Sequence, residues 1–432
     1  MFLIYNLVLT LFSPFWVPWM YLRSKRRKES PNWQQRGGNY DGVVPPRDKT
    51  KPRIWVHAVS VGEVIAAKPF LRELRAQSPD CEIVLSVTTS SGHQTAREME
   101  LPLFDYLVYF PIDVPKFMLR AMQRVRPDVI AIMETELWMN FLWAAKVFDV
   151  RTTIVNGRIS DKAYRLDTRV GAFFRALFKN MDRCLVQSEV DKERYESLGA
   201  TGVEMFGNTK FDEATTVTAV DAAEWRKKLG IPEGKQVVVV GSTRSEMEEE
   251  LVVRAFFSLG DVVYVHAPRH IETTDRLVEI FHRFAGSTGK TIGLRTKGES
   301  GDYIVLDTFG ELGSVYSIAD VVIIGGGFDT LGGQNLIQPL ALGKPVIHGP
   351  NMANFREVAA ASVRAGASVV CTRDVDVARV IRELLEDTEK RNQMADAAKY
   401  LVAANVGASK RYAAAVVAEI PRNFKEVNFD TA

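Results

Sequence analysis

The fold is decided by residues 325–358, which read GGGFDTLGGQNLIQPLALGKPVIHGPNMANFREV. They follow the apolar run 319–324, which is typical of a buried parallel strand. Gly332 and Gly333 would let backbone amides approach a ligand closely, and residues 335–342 are predicted to form a short helix. A glycine turn that leads into a helix favours anions. By itself, this spacing fits a phosphate-binding loop and an ordinary glycine turn equally well.

On both sides of this stretch, strand-like runs alternate with helix-like runs. In the second half of the chain, the predicted strands are residues 237–240, 262–266, 291–294, 303–306, 321–324, 345–348 and 368–371. In the first half, they are residues 54–59, 81–87, 106–110, 129–133, 152–155, 184–187 and 203–206. This alternation predicts an α/β protein with a parallel sheet in each half. Ligands of such sheets bind at the carboxyl ends of the strands.

The length of 432 residues is too great for one typical core, so two domains are expected. We predict a membrane anchor at residues 1–28 and a first Rossmann-like domain at 29–212. A linker at 213–235 and a second Rossmann-like domain at 236–406 follow, and residues 407–432 form a C-terminal helix and tail.

The N-terminal segment is predicted to attach to a membrane. Residues 1–22 contain no charged side chain, and the basic cluster 23–28 follows directly. The run is long enough to span a bilayer, and the cluster would keep the rest of the chain in the cytoplasm. Pro14, Pro18 and several aromatic residues also suit a helix in the membrane interface, so spanning and lying flat both remain open. A signal peptide is disfavoured because no basic segment precedes the run.

Composition excludes several classes of protein. A formal net charge of +2 gives no indication of nucleic-acid binding. Cys81, Cys184 and Cys371 are far apart in sequence, which predicts buried free thiols and no disulfide framework. The six histidines lack the spacing of metal ligands, so no metal site is expected.

Motifs along most of the chain resemble those of the 3-deoxy-D-manno-octulosonic acid (Kdo) transferases, which use the GT-B fold. The matching segments are residues 57–63 (HAVSVGE), 133–140 (METELWMN), 156–160 (NGRIS), 207–212 (GNTKFD), 268–270 (PRH), 332–335 (GGQN) and 343–346 (GKPV). Four residues depart from the family pattern: Gln334 replaces histidine, Gln338 replaces glutamate, Arg244 replaces histidine and Met139 replaces proline. The glycine that the family has after the position of Arg244 is also lost. The resemblance implies two Rossmann-like domains that face a cleft.

In the first half, the resemblance implies an acceptor site. Ser60 and Glu63 have the spacing of a capping box, but the resemblance makes Glu63 the general base on the acceptor hydroxyl, which suits a carboxylate. Glu134 would hold this base or raise its pKa by like charge; the alternative is a salt bridge to a nearby arginine. Gly62 and Arg158, together with Ser60, are the expected acceptor-binding residues.

In the second half, the resemblance implies a donor site. Arg269 can form a bidentate pair with a phosphate or carboxylate. Lys210 would reach the donor phosphate across the cleft. The expected donor-binding residues are Lys210, Ser242, Thr243, Arg269, His270, Gly310, Glu311, Gly333, Gln334, Asn335 and Gln338.

Taken together, the resemblance implies an inverting, metal-independent enzyme that moves Kdo from CMP-Kdo to a lipid A precursor. No cofactor is expected, and the partners are the donor, the acceptor lipid and the membrane surface. The predicted location is the inner membrane, with the catalytic domains in the cytoplasm. Two alternatives stay open: a GT-B transferase for another nucleotide sugar, and a non-catalytic membrane-bound sugar-binding protein.

Overall fold

The computed structural model describes residues 1–26, 32–99, 103–216 and 221–421. The last residues of the predicted basic cluster and the end of the predicted tail therefore lie outside the described residues. The chain divides into two compact units. Unit 1 consists of Met1–Asp212 and Gly407–Ala432, and unit 2 consists of Glu213–Val406.

Unit 1 begins with helices α1 (Phe2–Arg26) and α2 (Trp33–Arg36). Its strands are β1 (Arg53–Ala58), β2 (Glu82–Val87), β3 (Tyr106–Tyr109), β4 (Val129–Met133), β5 (Arg151–Gly157), β6 (Arg183–Val186) and β7 (Val203–Met205). The connecting helices are α3 (Val61–Gln77), α4 (Ser90–Arg97), α5 (Pro115–Val125), α6 (Met139–Val147), α7 (Asp161–Asp167), α8 (Gly171–Phe178) and α9 (Glu189–Ser197).

The unit 1 sheet is parallel throughout, with the strand order β3-β2-β1-β4-β5-β6-β7. Alternate side chains of each strand point to opposite faces. In β4, Ile130 and Ile132 join the core formed with α5 and α6, whereas Ala131 and Met133 join the core formed with α3. The strand order reverses between β1 and β4, and ligands of such sheets bind at this switch point.

The first turns of α1 are fastened to unit 1. The hydroxyl of Tyr5 donates a hydrogen bond of 2.8 Å to Oδ2 of Asp113. Asn6 and Asn140 exchange two side-chain hydrogen bonds of 2.9 Å. Across the described ranges of the chain, we find no helix that combines the length and the apolar character needed to cross a membrane.

Unit 2 begins with α10 (Ala222–Lys228), which lies in the segment predicted to be a linker. Its strands are β8 (Val237–Thr243), β9 (Val263–Pro268), β10 (Ile292–Leu294), β11 (Tyr303–Val305), β12 (Val321–Ile324), β13 (Val346–His348) and β14 (Ser368–Val370). The other helices are α11 (Glu246–Phe257), α12 (Thr274–Ala285), α13 (Leu312–Val315), α14 (Ile337–Ala341), α15 (Arg356–Arg364), α16 (Asp374–Glu386) and α17 (Thr388–Asn405).

The unit 2 sheet is also parallel, with the order β10-β11-β9-β8-β12-β13-β14. The two predicted parallel sheets are thus confirmed. The switch point of this sheet lies between β8 and β12. The helix predicted at 335–342 is shorter in the structure, because Oδ1 of Asn335 accepts the backbone N–H of Ile337 at 2.8 Å and ends the preceding turn there.

After α17 the chain returns to unit 1 with α18 (Ala408–Ala418). The carboxylate of Asp212 accepts the backbone N–H groups of Gly407 at 2.6 Å and of Ser409 at 2.8 Å. Tyr412 is fully buried in the core that includes α3. The C-terminal helix therefore completes one face of the unit 1 sheet.

Candidate active site

Glu63 lies in the first turn of α3, at the carboxyl edge of the unit 1 sheet. Its Oε2 accepts the backbone N–H of Val59 at 2.7 Å, and its Oε1 accepts the hydroxyl of Ser60 at 3.2 Å. The Ser60 side chain makes no hydrogen bond to the helix backbone. Neither hydrogen bond of the predicted capping box is therefore formed, because the Glu63 carboxylate reaches back beyond Ser60 to the N–H of Val59.

Burial changes the titration of Glu63, which is only 8% exposed. Loss of solvation raises its pKa from the usual 4.5 to about 8. The N–H of Val59 and the hydroxyl of Ser60 lower this pKa, while the negative charges of Glu134 and Glu136 raise it further. Once ionised, such a carboxylate is a strong proton acceptor.

Glu134 begins the loop after β4 in a left-handed conformation, with φ 57°. Its carboxylate accepts a hydrogen bond of 2.7 Å from Nε of Arg158, which follows β5. The hydroxyl of Tyr195 donates to the backbone carbonyl of Glu134 at 2.9 Å. Both features that the sequence offered as alternatives are therefore present: Glu134 pairs with an arginine, and its charge raises the pKa of Glu63.

The loop between β2 and α4 lies against the Glu63 loop. The backbone N–H and the hydroxyl of Thr89 both donate to the carbonyl of Val59, each at 3.0 Å. Two buried polar atoms near this edge, Oγ1 of Thr88 and Nε1 of Trp138, have no hydrogen-bond partner within the described residues. Neither Thr88 nor Trp138 was among the predicted site residues, although each lies in a loop after a predicted strand.

Gly62 is exposed at the start of α3, and the nearest atom to a Cβ at this position would be Oγ of Ser60, 4.0 Å away. The helix surface beside Glu63 is therefore open. Lys210 lies in unit 1, in the 3₁₀ helix Thr209–Thr216, where its backbone N–H donates to Oδ1 of Asn208 at 3.0 Å. The other predicted donor-binding residues all lie in unit 2.

In unit 2, Glu248 ties together the loops that follow β8 and β12. Its fully buried carboxylate accepts the backbone N–H groups of Arg244 at 3.0 Å, Gly326 at 2.8 Å and Phe328 at 3.0 Å. Glu248 thereby sets the shape of the carboxyl edge at the switch point. Glu248 was not among the predicted site residues, but its capping-box spacing from Ser245 is a signal in the sequence.

The neighbouring hydroxyl residues Ser242 and Thr243 differ in environment. Ser242 is half-buried, with φ 61°. Thr243 is almost fully buried, and its Oγ1 lies 2.7 Å from Nε2 of His266, whose Nδ1 is hydrogen-bonded to the hydroxyl of Tyr303. Burial lowers the pKa of His266 to about 3, so the ring is neutral. The Thr243 hydroxyl is thus engaged inside unit 2, whereas Ser242 lies nearer the surface.

The glycine-rich loop after β12 is held by side chains from two other segments. Gly332 and Gly333 have φ values of 88° and 75°, a region that favours glycine. The carbonyl of Leu331 accepts Nη1 of Arg244 at 3.2 Å and Nδ2 of Asn354 at 3.4 Å. Next in the loop, Nε2 of Gln334 donates to the carbonyl of Gly333 at 3.2 Å.

Gln338 lies on α14, close to the start of α13. A Cβ added to Gly313 would lie 3.7 Å from Oε1 of Gln338. Just before α13, the carboxylate of Glu311 accepts Nη2 of Arg295 at 3.1 Å and the hydroxyl of Thr308 at 2.5 Å. Glu311 and Gln338 therefore flank the same short helix.

Three predicted residues of unit 2 are exposed, namely Arg269, His270 and Gly310, whereas Asn335 is half-buried. Arg269 and His270 follow β9, and the backbone N–H of Arg269 donates to the carbonyl of Thr243 at 2.9 Å. Gly310 is exposed, with φ 82°. Within the part of the chain that the structure describes, the guanidinium of Arg269 forms no ion pair, so it is available to an anion.

Over 435 aligned residues, the chain is 30% identical to the 3-deoxy-D-manno-octulosonic acid transferase of Bordetella pertussis, and the match covers 94% of this chain and 97% of that protein. The chain belongs to the 3-deoxy-D-manno-octulosonic acid (Kdo) transferase family. The Kdo transferase of Chlamydophila psittaci is also 30% identical, over 79% of each chain.

Two family models match different parts of this Kdo transferase family member. Residues 31–213 match the 3-deoxy-D-manno-octulosonic-acid transferase model, and residues 305–400 match glycosyl transferases group 1. The first match contains Glu63, Glu134 and Arg158. The protein is therefore a glycosyltransferase enzyme.

The structure is also similar to MurG of Acinetobacter baumannii. The match has a TM-score of 0.57 at 12% identity and covers 85% of this chain and 99% of MurG. At this identity the likeness concerns the fold alone: two α/β domains with parallel sheets, of GT-B type.

Proposed function

We propose that this Kdo transferase family member moves Kdo from CMP-Kdo to a lipid A precursor in lipopolysaccharide biosynthesis, with inversion and without a bound metal. The observation that carries the proposal is Glu63: a buried carboxyl with a pKa of about 8, at the switch point of unit 1, beside a second carboxylate.

In this proposal, Glu63 is the general base. As the acceptor hydroxyl attacks the anomeric carbon of Kdo, its proton passes to the Glu63 carboxylate, and the bond from that carbon to the phosphate of CMP breaks. A single displacement of this kind inverts the configuration. Glu134 keeps Glu63 basic through its charge, and Arg158 holds Glu134 in position.

The acceptor would be oriented by polar groups around Glu63. Oγ1 of Thr88 and Nε1 of Trp138 are buried and lack protein partners within the described residues, so a sugar hydroxyl could satisfy either one. Gly62 leaves the surface open beside the base. Ser60 is within hydrogen-bond distance of Glu63 and would help to orient its carboxylate.

The donor is an anion, with a phosphodiester and a carboxylate. The exposed guanidinium of Arg269 can form a bidentate pair with either group. Arg244 adds a second cation at the same switch point. These two positive charges can offset the negative charge of the phosphate without a metal ion. Gln338 and Glu311 would contact the cytidine.

We propose that the enzyme works at the cytoplasmic face of the inner membrane, attached through its N-terminal segment. Support comes from the apolar side chains that α1 exposes, which include Leu3, Leu7, Leu11 and Phe15. An exposed apolar surface of this kind is typical of a membrane contact.

The test is incubation of the purified full chain with CMP-Kdo and a tetraacyl lipid A precursor, followed by mass spectrometry of the lipid. Addition of one or more Kdo units in the native protein, and none in Glu63→Gln, is the expected result. Absence of product with the native protein would contradict the proposed reaction.

The substitutions Gln334, Gln338 and Arg244 favour one alternative, a transferase for another nucleotide sugar. Calorimetric titration with CMP and with UDP separates the two, since the proposal requires tighter binding of CMP. A non-catalytic sugar-binding protein would bind a nucleotide sugar without turnover.

A further inference from the structure

An open-sided pocket of about 420 Å³ lies on unit 1, between the start of α1 and the helices α6 and α8. None of its lining residues is assigned above to the acceptor, the donor or the proton transfer. Its walls combine apolar and basic side chains, chiefly Phe2, Met139, Trp143, Ala176, Arg175 and Lys179.

The wall supplied by α1 is fixed in place. The rings of Phe2 and Trp143 have centroids 4.8 Å apart, and those of Tyr5 and Phe173 are 5.8 Å apart. The hydroxyl of Tyr5 is also hydrogen-bonded to Asp113. These contacts hold the first turns of α1 against α6 and α8, so the pocket is a built feature of unit 1.

Two cations stand at the rim. Arg175 of α8 and Lys179, which directly follows α8, are both exposed. They are four residues apart, and Lys179 keeps a helical backbone conformation, so both lie on one side of the helix. The stem of Arg175 crosses Gly199, where a Cβ would lie 2.6 Å from Cγ of Arg175. Within residues 1–26, 32–99, 103–216 and 221–421, neither cation pairs with a carboxylate.

Exposed apolar side chains extend the apolar surface beyond the pocket. Leu3 and Leu7 of α1 are exposed, as are Leu166 and Val170 in the segment that leads into α8. Apolar side chains interspersed with basic ones are typical of surfaces that contact anionic lipid.

We propose that this pocket binds one acyl chain of an anionic bilayer phospholipid, with Arg175 and Lys179 contacting its phosphate. The volume falls within the range of roughly 300–1,000 Å³ for small-molecule sites. If a methylene group takes about the space of a water molecule, ~30 Å³, on the order of a dozen chain carbons fit. Free phosphate would leave the apolar walls uncovered, and a neutral lipid would leave the two cations without an anion. The bound lipid is not a substrate, so this site is separate from the proposed transfer reaction.

The test uses the full chain purified in mild detergent and mixed with phosphatidylglycerol or phosphatidylcholine. Native mass spectrometry then counts the retained lipid. We expect the native protein to retain one phosphatidylglycerol with at least a tenfold preference over phosphatidylcholine. Ala176→Trp and Ala172→Trp fill the pocket from two positions, and both should lose this lipid. If one of these variants fails to fold, the other still tests the pocket. Circular dichroism and CMP binding that match those of the native protein show that a variant is folded.

Charge is tested separately. The double variant Arg175→Gln, Lys179→Gln should lose the preference for phosphatidylglycerol, whereas Lys146→Gln, which removes an exposed charge from α6 outside the pocket, should keep it. Equal retention of phosphatidylglycerol in the native protein and both tryptophan variants would overturn the proposal. So would release of the bound lipid by one equivalent of lipid A precursor, because the pocket would then belong to the acceptor.

Discussion

Nε of Arg158 lies 2.7 Å from Oε2 of Glu134, between loops that follow the neighbouring strands β5 and β4. The carboxylate of Glu134 is the same group whose charge helps to raise the pKa of Glu63. One arginine therefore compensates the carboxylate beside the proposed base. In the proposed mechanism, Arg158 would act on Glu63 through Glu134, as a positioning residue.

Replacing Arg158 by glutamine should leave Glu134 buried without its cation. Since the side chain of Arg158 is 32% exposed, we expect a loss of about 2 kcal/mol in the free energy of unfolding. Urea denaturation measures it. The control is Arg151→Gln, which removes a 59% exposed arginine paired with Asp182 and should cost less than about 0.5 kcal/mol.

The companion variant Glu134→Gln, Arg158→Gln removes both charges. It should recover part of the stability lost in Arg158→Gln, because no unpaired carboxylate remains. If the stability lost in the double variant equals the sum of the losses in the two single variants, the two side chains are not energetically coupled. That result would contradict the expected role of this ion pair.

Turnover should depend on the ionisation of Glu63. With a pKa of about 8, the base form becomes populated as the pH rises, so kcat/KM should climb towards pH 8 and then level off. Glu63→Gln should lose on the order of 10²–10⁴ in turnover, and its remaining activity should lack this rise. CMP binding serves as the control for an intact fold.

Glu136 offers a finer check on the same pKa. Its charge helps to raise the pKa of Glu63, so Glu136→Gln should move the rising part of the profile to lower pH. A profile that is unchanged in Glu136→Gln, or retained in Glu63→Gln, would show that another group titrates.

Stability should also depend on the protonation of Glu63. The folded-state pKa of about 8 lies above the usual 4.5 of the unfolded chain, so the folded state binds this proton more tightly. The resulting stabilisation is complete below pH 4.5 and is lost as the pH rises through 8. Glu63→Gln removes this dependence, so its stability relative to the native protein should increase from pH 5 to pH 8.5, by roughly 2–4 kcal/mol. Thermal and urea unfolding at the two pH values measure the difference in stability between Glu63→Gln and the native protein. The same difference at both pH values would contradict this prediction.

The sheets could be predicted from the sequence because parallel strands leave local signals: short apolar runs separated by amphipathic helices. The burial of the three cysteines could also be predicted, because each has apolar neighbours in the sequence. The structure confirms that all three are buried free thiols. Side-chain partners across loops could not be predicted in the same way. The engagement of Thr243 by His266 and the unpartnered Nε1 of Trp138 both depend on which segments meet in space.

Glu248 gives a test of the unit 2 switch point. Glu248→Gln replaces one carboxylate oxygen by an NH2 group, which cannot accept the N–H of Phe328 or, in the other orientation of the amide, the N–H groups of Arg244 and Gly326. We expect a loss of about 2 kcal/mol in stability, because buried donors are left unsatisfied. CMP binding should weaken as the two loops separate. The control Glu250→Gln alters a more exposed carboxylate on the same helix; an equal effect there would mean that helix stability alone is responsible.

Gln338→Glu tests the ribose contact of the donor site. A carboxylate can accept hydrogen bonds from both ribose hydroxyls, whereas glutamine must accept from one and donate to the other. Restoring the family residue should tighten binding of neutral cytidine by about 1 kcal/mol, or several-fold. The gain for CMP should be smaller, because the added negative charge opposes the phosphate that Arg244 and Arg269 attract.

In the native protein, binding of CMP should also fall more steeply with salt than binding of cytidine, since exposed phosphate contacts are screened. Calorimetry with both ligands at low and high salt decides the matter: equal tightening without a salt difference would mean that Gln338 does not face the ribose.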